Sequence, residues 1–263
     1  MSKVFALFCG VILLLGGCAS EAVKDETLGW SPNRIYQEAQ DERNAGNNEK
    51  AIALFEKLEG RAAGTPLAQQ AMLDAAFLHF KAREPVQAIA TLDRFMRLHP
   101  TSPSLDYALY LKGLVNFNDD AGLLSFVTAK DLSERDQKAA KDSFDTFKEL
   151  VSRFPTSRYA PDARARMNYV IVSMAQSEVN VARYYYKKGA YLAAVSRAQT
   201  ALREYPQAPA RQEALAILMN SYDALNLPEL RDDNKRVLQT NYPDSVYLTR
   251  PISNEGKSWW QLW

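Results

Sequence analysis

The stretch Ala88-Ile89-Ala90-Thr91-Leu92-Asp93-Arg94-Phe95-Met96-Arg97-Leu98-His99-Pro100 sets a register that recurs along the chain. It offers a small residue, Ala88, an apolar residue four positions later, Leu92, and a proline twelve positions later, Pro100. The same spacing returns as Ser143, Phe147 and Pro155, and again as Ala194, Ala198 and Pro206. A small residue lets two antiparallel helices come close. The residue four later lies on the same helix face and fills the space between them. Proline cannot continue the helix and is expected to start the next one.

This is the second-helix pattern of a tetratricopeptide repeat. An earlier repeat carries Gly46, Ala51 and Phe55, with its closing proline displaced to Pro66. A last one closes on Tyr242-Pro243 but places Arg231 where a small residue is expected. The expected fold is therefore all-α, a tetratricopeptide solenoid of about five repeats. Edge repeats depart from the pattern because one of their faces meets solvent or a partner. Pro66 to Pro100 spans 34 residues, the standard period, whereas Pro100 to Pro155 spans 55 and Pro155 to Pro206 spans 51. The first excess predicts an insertion near residues 117–136, with Ser133 and Asp136 placed to cap the helix after it. The second predicts a long helix over residues 161–188, shared between two groups of repeats. Met167, Ile171, Met174, Val181 and Tyr185 are its expected core stripe.

The N-terminus reads differently. Lys3 precedes an apolar run of about a dozen residues, too short to cross a bilayer core of roughly 30 Å. Leu15-Gly16-Gly17-Cys18 follows it. A positive start, a short apolar middle and a small-residue exit describe a secretory signal. An ordinary signal that happens to contain a cysteine shares these features. The position of Cys18 resembles that of a bacterial lipoprotein lipobox, in which the thiol takes a lipid and becomes the first mature residue. Two acyl chains or more anchor stably where one binds marginally. In such lipoproteins, absence of an aspartate after the cysteine favours the outer membrane, and Ala19 stands here. The expected organisation is a signal over residues 1–17, a lipidated linker over 18–31 and an N-terminal half over 32–155. A C-terminal half over 156–249 and an aromatic tail over 250–263 complete it.

The chain contains two cysteines, Cys9 and Cys18, so the mature body has no thiol left for a disulfide or a thiolate metal site. Loss of Lys3 takes the formal charge from +1 to zero, which argues against nonspecific nucleic-acid binding. The charge is uneven: residues 153–211 hold ten Lys or Arg and three Asp or Glu. That surplus is either a set of solvated helix faces or a basic surface for an acidic partner. The two histidines, His79 and His99, have no metal-site spacing and read as structural. No Gly-rich phosphate loop or nucleophile elbow is present, and Asp119-Asp120 is a commonplace loop pair. No enzyme, cofactor or metal is expected.

The segment Arg97-Leu98-His99-Pro100-Thr101-Ser102-Pro103-Ser104-Leu105-Asp106-Tyr107-Ala108-Leu109-Tyr110-Leu111-Lys112-Gly113-Leu114 goes beyond generic repeat consensus. With Pro32-Asn33-Arg34-Ile35-Tyr36, Phe154-Pro155-Thr156-Ser157-Arg158-Tyr159 and Val181-Ala182-Arg183-Tyr184-Tyr185-Tyr186-Lys187-Lys188-Gly189-Ala190-Tyr191, it resembles the BamD family (ComL, YfiO) of outer-membrane lipoproteins. The resemblance implies a non-catalytic scaffold of the β-barrel assembly machinery. In that family the C-terminal repeats hold the POTRA domains of the barrel subunit BamA and accessory lipoproteins. The N-terminal repeats are proposed to receive signals of unfolded outer-membrane proteins. Arg197, within Val195-Ser196-Arg197, matches a family arginine that pairs with an acidic POTRA residue. Arg183, Lys187 and Lys188 lie in the same basic stretch and are expected beside it in partner binding. Tyr107, Tyr110 and Arg135 are expected along a groove for substrate peptide, although core packing explains aromatic residues at such spacing equally well. Two departures stand out. Ala62-Ala63-Gly64-Thr65-Pro66-Leu67 replaces an aromatic-rich turn, and Trp259-Trp260-Gln261-Leu262-Trp263 is not a family hallmark. The competing reading is a repeat lipoprotein for pilus assembly or peptidoglycan and envelope coordination.

Overall fold

The computed structural model describes residues 25–117, 134–250 and 252. The signal, Cys18, the core of the insertion and the tail from Trp259 lie outside the described residues. Ten α-helices and one 3-10 turn make up the described chain: α1 (Pro32–Asn44), α2 (Asn48–Arg61), α3 (Pro66–Lys81), α4 (Pro85–Leu98), α5 (Leu105–Asn116), α6 (Glu134–Arg153), α7 (Ala160–Lys187), α8 (Tyr191–Glu204), α9 (Arg211–Ala224), α10 (Pro228–Asn241) and the turn Val246–Leu248. Each helix packs on the next, and the first helices of neighbouring pairs also touch, α1 on α3 and α7 on α9. This is the stacking of a tetratricopeptide array.

Inside four pairs the helices are joined by the same turn. Its central residue, Gly46, Arg83, Gly189 or Asn226, has φ of 85°, 61°, 76° or 57°. The following N–H, of Asn47, Glu84, Ala190 or Leu227, donates to the carbonyl five residues back. This αL cap satisfies carbonyls left open at the helix end. Glycine marked two of the four turns in the sequence; arginine and asparagine adopt the same conformation at the others.

Between pairs a second turn recurs, and it corrects the expected role of proline. His99, Tyr205 and Tyr242 close their helices at φ −127°, −126° and −141° with ψ 58°, 60° and 65°. The proline that follows excludes its predecessor from the α region, which stops the helix there. The carbonyls of His99, Phe154, Tyr205 and Tyr242 then accept the N–H groups of Ser102, Ser157, Ala208 and Ser245. Proline thus occupies the second position of a β-turn, where its fixed φ is pre-set. Helices α5, α7 and α9 begin five residues after their prolines. Pro66 is different: it opens α3 directly, behind a Thr65 side chain that accepts the Ala68 N–H at 3.2 Å.

The repeat register is realised in the core. Ala51, Ala88, Ser143 and Ala194 are fully buried, as are Phe55, Leu92, Phe147 and Ala198. In the third pair the approach leaves no room for a methyl group: a Cβ on Gly113 of α5 would stand 2.4 Å from the Phe147 ring of α6. Ser143 Oγ donates to the Gly113 carbonyl at 3.0 Å beside it. In the fifth pair Arg231 reaches Asp223 of α9 at 2.8 Å instead of burying a small side chain.

Helix α7 runs 28 residues, as the proline spacing anticipated. Its core face is not the expected stripe. Ala160, Ala163, Val170, Ala175, Val179, Ala182 and Tyr186 are the buried apolar positions, while Met167 and Met174 pack at one margin and Tyr185 at another. Helices lie against α7 on more than one side, so the small side chains take the closest contacts. Its first half shares a core with α5 and α6, and its second half with α8 and α9.

Two substitutions test these contacts. Gly113→Ala should destabilise the protein by about 1–3 kcal/mol through overpacking against Phe147, read as a lower denaturation midpoint. Gly189→Ala meets no atom within 4 Å but keeps φ at 76°. It should cost about 1–2 kcal/mol from backbone conformation alone.

Candidate interaction surfaces

The four basic residues expected to bind a partner do not share one state. Arg183 of α7 forms a bidentate pair with Glu213 of α9, Nε to Oε1 and Nη2 to Oε2, the latter at 2.7 Å. Its side chain is 33% exposed and that of Glu213 only 14%. Hydrogen bonding to Glu213 raises the Arg183 pKa further, against the opposing effect of burial. Tyr247 lies close enough to feel the same carboxylate, and burial together with Glu213 pushes its phenol above the usual range. Arg183 therefore ties α7, α9 and the last turn together.

Arg197 of α8 is 48% exposed and touches Glu178 of α7 through one nitrogen at 3.3 Å. Most of its guanidinium edge stays open. Lys187 is exposed at the end of α7, and Lys188, the next residue, lies over the Tyr184 ring at 5.7 Å.

Tyr107 and Tyr110 of α5 converge on a third aromatic residue, Tyr159. Tyr159, just before α7, stacks on Tyr110 at 4.7 Å and 18° and meets Tyr107 at 5.6 Å. Tyr110 donates its hydroxyl to Asp162 at 2.7 Å, and Arg166 Nε reaches the same oxygen at 2.6 Å. Arg158 donates to the Tyr159 hydroxyl at 2.6 Å. The row continues through Phe147 and Phe117 to Tyr169, with Arg166 over the Phe117 ring at 4.6 Å. A polar seam joins the preceding first helices: Tyr36 and Gln40 of α1 both donate to Asp74 of α3, at 3.0 and 3.2 Å. The first-helix layer thus presents tyrosines alternating with charged groups, suited to an extended chain with both apolar and polar side chains. Tyr36 and Tyr159 stand in the sequence only as members of the resembling segments and Asp162 carries no signal there, because their partners lie far away in sequence. Arg135 falls in the first turn of α6, and its side chain is outside the described residues.

His79 Nδ1 meets Glu84 Oε2 at 2.7 Å, and the His99 ring tilts against Phe95 at 5.4 Å. Among the described residues no group of three His, Cys, Asp or Glu could hold a metal ion. Nor is any helix among them long and apolar enough to cross a membrane. A cavity of about 620 Å³ opens between the C-terminal ends of α2 and α4, beside the altered Ala63-Gly64 turn.

Two measurements follow. Arg183→Ala leaves the Glu213 carboxylate buried without its partner, which should cost about 2 kcal/mol in chemical denaturation, with Arg183→Lys recovering part. Burial pushes the Tyr107 phenol up to about 12, with Tyr159 and Asp74 adding to the effect. The fold favours the neutral phenol. That stability is complete below the unfolded value of about 10 and is lost as pH rises toward the folded one. Tyr107→Phe should flatten the fall in denaturation midpoint over that alkaline window.

Sequence comparison places the chain in a family. An assembly factor named BamD from Neisseria meningitidis serogroup B is 44% identical over 265 residues, covering 99% of each chain. Its counterpart from Xylella fastidiosa (strain Temecula1) is 35% identical, covering 97% of this chain and 85% of its own. That of Vibrio cholerae is 31% identical, covering 87% of this chain and 94% of its own. All three are named outer membrane protein assembly factors. Residues 30–238, from the turn before α1 into α10, match the family model YfiO, described as an outer membrane lipoprotein. The chain belongs to the YfiO family of outer membrane lipoproteins.

Proposed function

We propose that this protein is a non-catalytic scaffold of the machinery that inserts β-barrel proteins into the outer membrane. It is held on the periplasmic face by lipid on Cys18. Its C-terminal half, residues 156–249, binds the POTRA region of a BamA-like barrel subunit and accessory lipoproteins. Its N-terminal half, residues 32–155, receives unfolded outer-membrane proteins along the tyrosine row, which Tyr159 and Asp162 complete from the start of the C-terminal half.

The observation that carries this reading is the state of Arg197. An exposed arginine with one long intramolecular contact loses little when it turns to an external carboxylate, since such surface pairs contribute only about 0–1 kcal/mol. Its planar fork then makes a bidentate pair with the acidic group. Lys187 and Lys188 add positive potential at the end of the adjoining helix, which favours encounter with an acidic surface. Arg183 supports the surface from within by fixing α7 to α9. The tyrosine row supports the second role: aromatic faces accept apolar side chains, and the intervening carboxylates and guanidinium groups satisfy polar ones. The relatives are named outer membrane protein assembly factors, which supports the assembly role as a whole.

Arg197→Glu should reduce recovery of the barrel subunit in a mild-detergent pull-down from outer membranes, with the denaturation midpoint unchanged. Undiminished recovery at moderate salt would refute the assignment.

A further inference from the structure

The linker expected over residues 18–31 is not a free tether throughout. Asp25 is held by Lys57 Nζ at 2.7 Å and Arg61 Nη2 at 2.7 Å, both on α2. Its Oδ1 also accepts the Thr27 N–H at 3.0 Å and the Thr27 hydroxyl at 2.7 Å. Arg61 Nη1 closes the loop by donating to the Thr27 carbonyl at 2.5 Å. Two successive turns, Leu28 N–H to Asp25 O and Trp30 N–H to Thr27 O, bring the chain to α1, where Arg34 lies over the Trp30 ring at 4.3 Å. Thr27 is buried although polar, and Lys57 with Thr27 holds the Asp25 carboxyl well below the usual carboxylate range. The clasp therefore stays charged at neutral and mildly acidic pH.

The consequence is geometric. Only residues 19–24 separate Cys18 from the clasp. Fully extended, Cys18 to Asp25 spans at most about 25 Å, against about 45 Å from Cys18 to Ser31 if the clasp were open. The chain therefore leaves the solenoid at the C-terminal end of α2. Short turns make consecutive helices antiparallel, so the same edge carries the start of α1, the cavity mouth and the end of α4. Leu28, 72% exposed, and Leu98, 58% exposed, stand there. Arg34 and Arg97 are exposed on it, and neither has an ion-pair partner among the described residues.

We propose that this edge of the first two helix pairs is a membrane-apposed surface, held against the lipid headgroups by the Asp25 clasp on a shortened tether. The partner is the bilayer itself. Exposed leucines suit the headgroup–acyl boundary, and unpaired arginines suit lipid phosphates. Without the clasp, the same anchor would let the array stand off by a further two nanometres or so and tumble. The proposal rests on lipidation of Cys18 and adds an orientation to it.

The test uses the full lipidated chain in vesicles containing phosphatidylglycerol and a headgroup-labelled acceptor lipid. With Cys9 removed and Cys18 acylated, an introduced cysteine is the only thiol available for a donor dye. Gly60→Cys lies at the proposed edge and Glu49→Cys near the other end of α2, about 17 Å away along the helix. Energy transfer to the lipid should be stronger from position 60 than from position 49. Asp25→Ala should lower the signal from position 60 and narrow the difference. Equal transfer from both positions, or an unchanged difference in Asp25→Ala, would overturn the orientation while leaving the anchor intact. Mass spectrometry that finds Cys18 without acyl chains in the parent protein would instead overturn the lipid anchor, and the orientation with it.

Discussion

Close approach of two helices within each pair is the constraint on which the remaining structure depends. It requires a residue at the crossing whose side chain ends at Cβ or one atom beyond, which is why Ala51, Ala88, Ser143 and Ala194 occupy equivalent places and are fully buried. The third pair shows the limit. Gly113 meets the Phe147 ring with no room for a methyl group, and the Ser143 hydroxyl must bond the Gly113 carbonyl because no water can. Once the pair is that tight, the residue four positions on has a single place to go, and the core volume of each pair is fixed. Cys9 and Cys18 are the only cysteines of the chain and neither is among the described residues, so no disulfide braces the described array. Its stability rests on these crossings being filled.

Pairs are then joined by a different kind of contact. The proline turn sets the angle at which one pair leaves for the next, and side chains across the seam hold that angle. Ser102 donates to Gln69 at 2.8 Å, Ser157 to Asp106 at 2.6 Å, Arg94 to Glu59 at 2.7 Å and Lys112 to Asp93 at 2.7 Å. Each such contact is partly exposed and individually weak. They add to seams that are themselves apolar, since one core runs from α1 through α2 to α3 and another from α7 through α8 to α9. Both ends of the array follow the same logic: Asp25 is fastened by Lys57 and Arg61, and the last turn by the Arg183–Glu213 pair. Unprotected edges of a solenoid fray, and here charge does the fastening where a further repeat would have supplied a core.

What the sequence disclosed, and what it withheld, divides along the same line. Contacts within a pair are encoded at short range, so Ala88, Leu92 and Pro100 sufficed to read the fold and its register. The length of α7 was legible from proline spacing for the same reason. The face it buries was not. The choice between Met174 and Ala175 depends on how many neighbours crowd the helix, and that is a property of the stack. Arg183 illustrates the harder case. Its residue type and its place in a basic stretch suggested a partner contact, but Glu213 stands 30 residues away and claims it. Arg197, similar in type and setting, keeps most of its surface open. Tyr110 and Asp162 are 52 residues apart, and only the fold reveals that they share a proton donor and acceptor. The reach of proline was overestimated because its fixed φ suits a turn as well as a helix start.

Helix α7 relates the two surfaces in a way that bears on mechanism. The tyrosine row engages its beginning, at Tyr159, Asp162 and Arg166, and the basic surface proposed for a partner lies along its second half, from Glu178, which Arg197 touches, to Lys187. At 1.5 Å per residue the two are about 25–40 Å apart. A continuous helix buried in one core along its first half and another along its second is a poor switch, because coupling requires an element with two arrangements. It is a good ruler. On the proposed function, what it would deliver to a bound barrel subunit is a fixed distance and direction to the place where an extended chain would lie. A scaffold that acts by fixing such a distance needs neither catalytic group nor cofactor. Substitutions that shorten or kink α7 would then impair assembly even if each surface kept its own affinity.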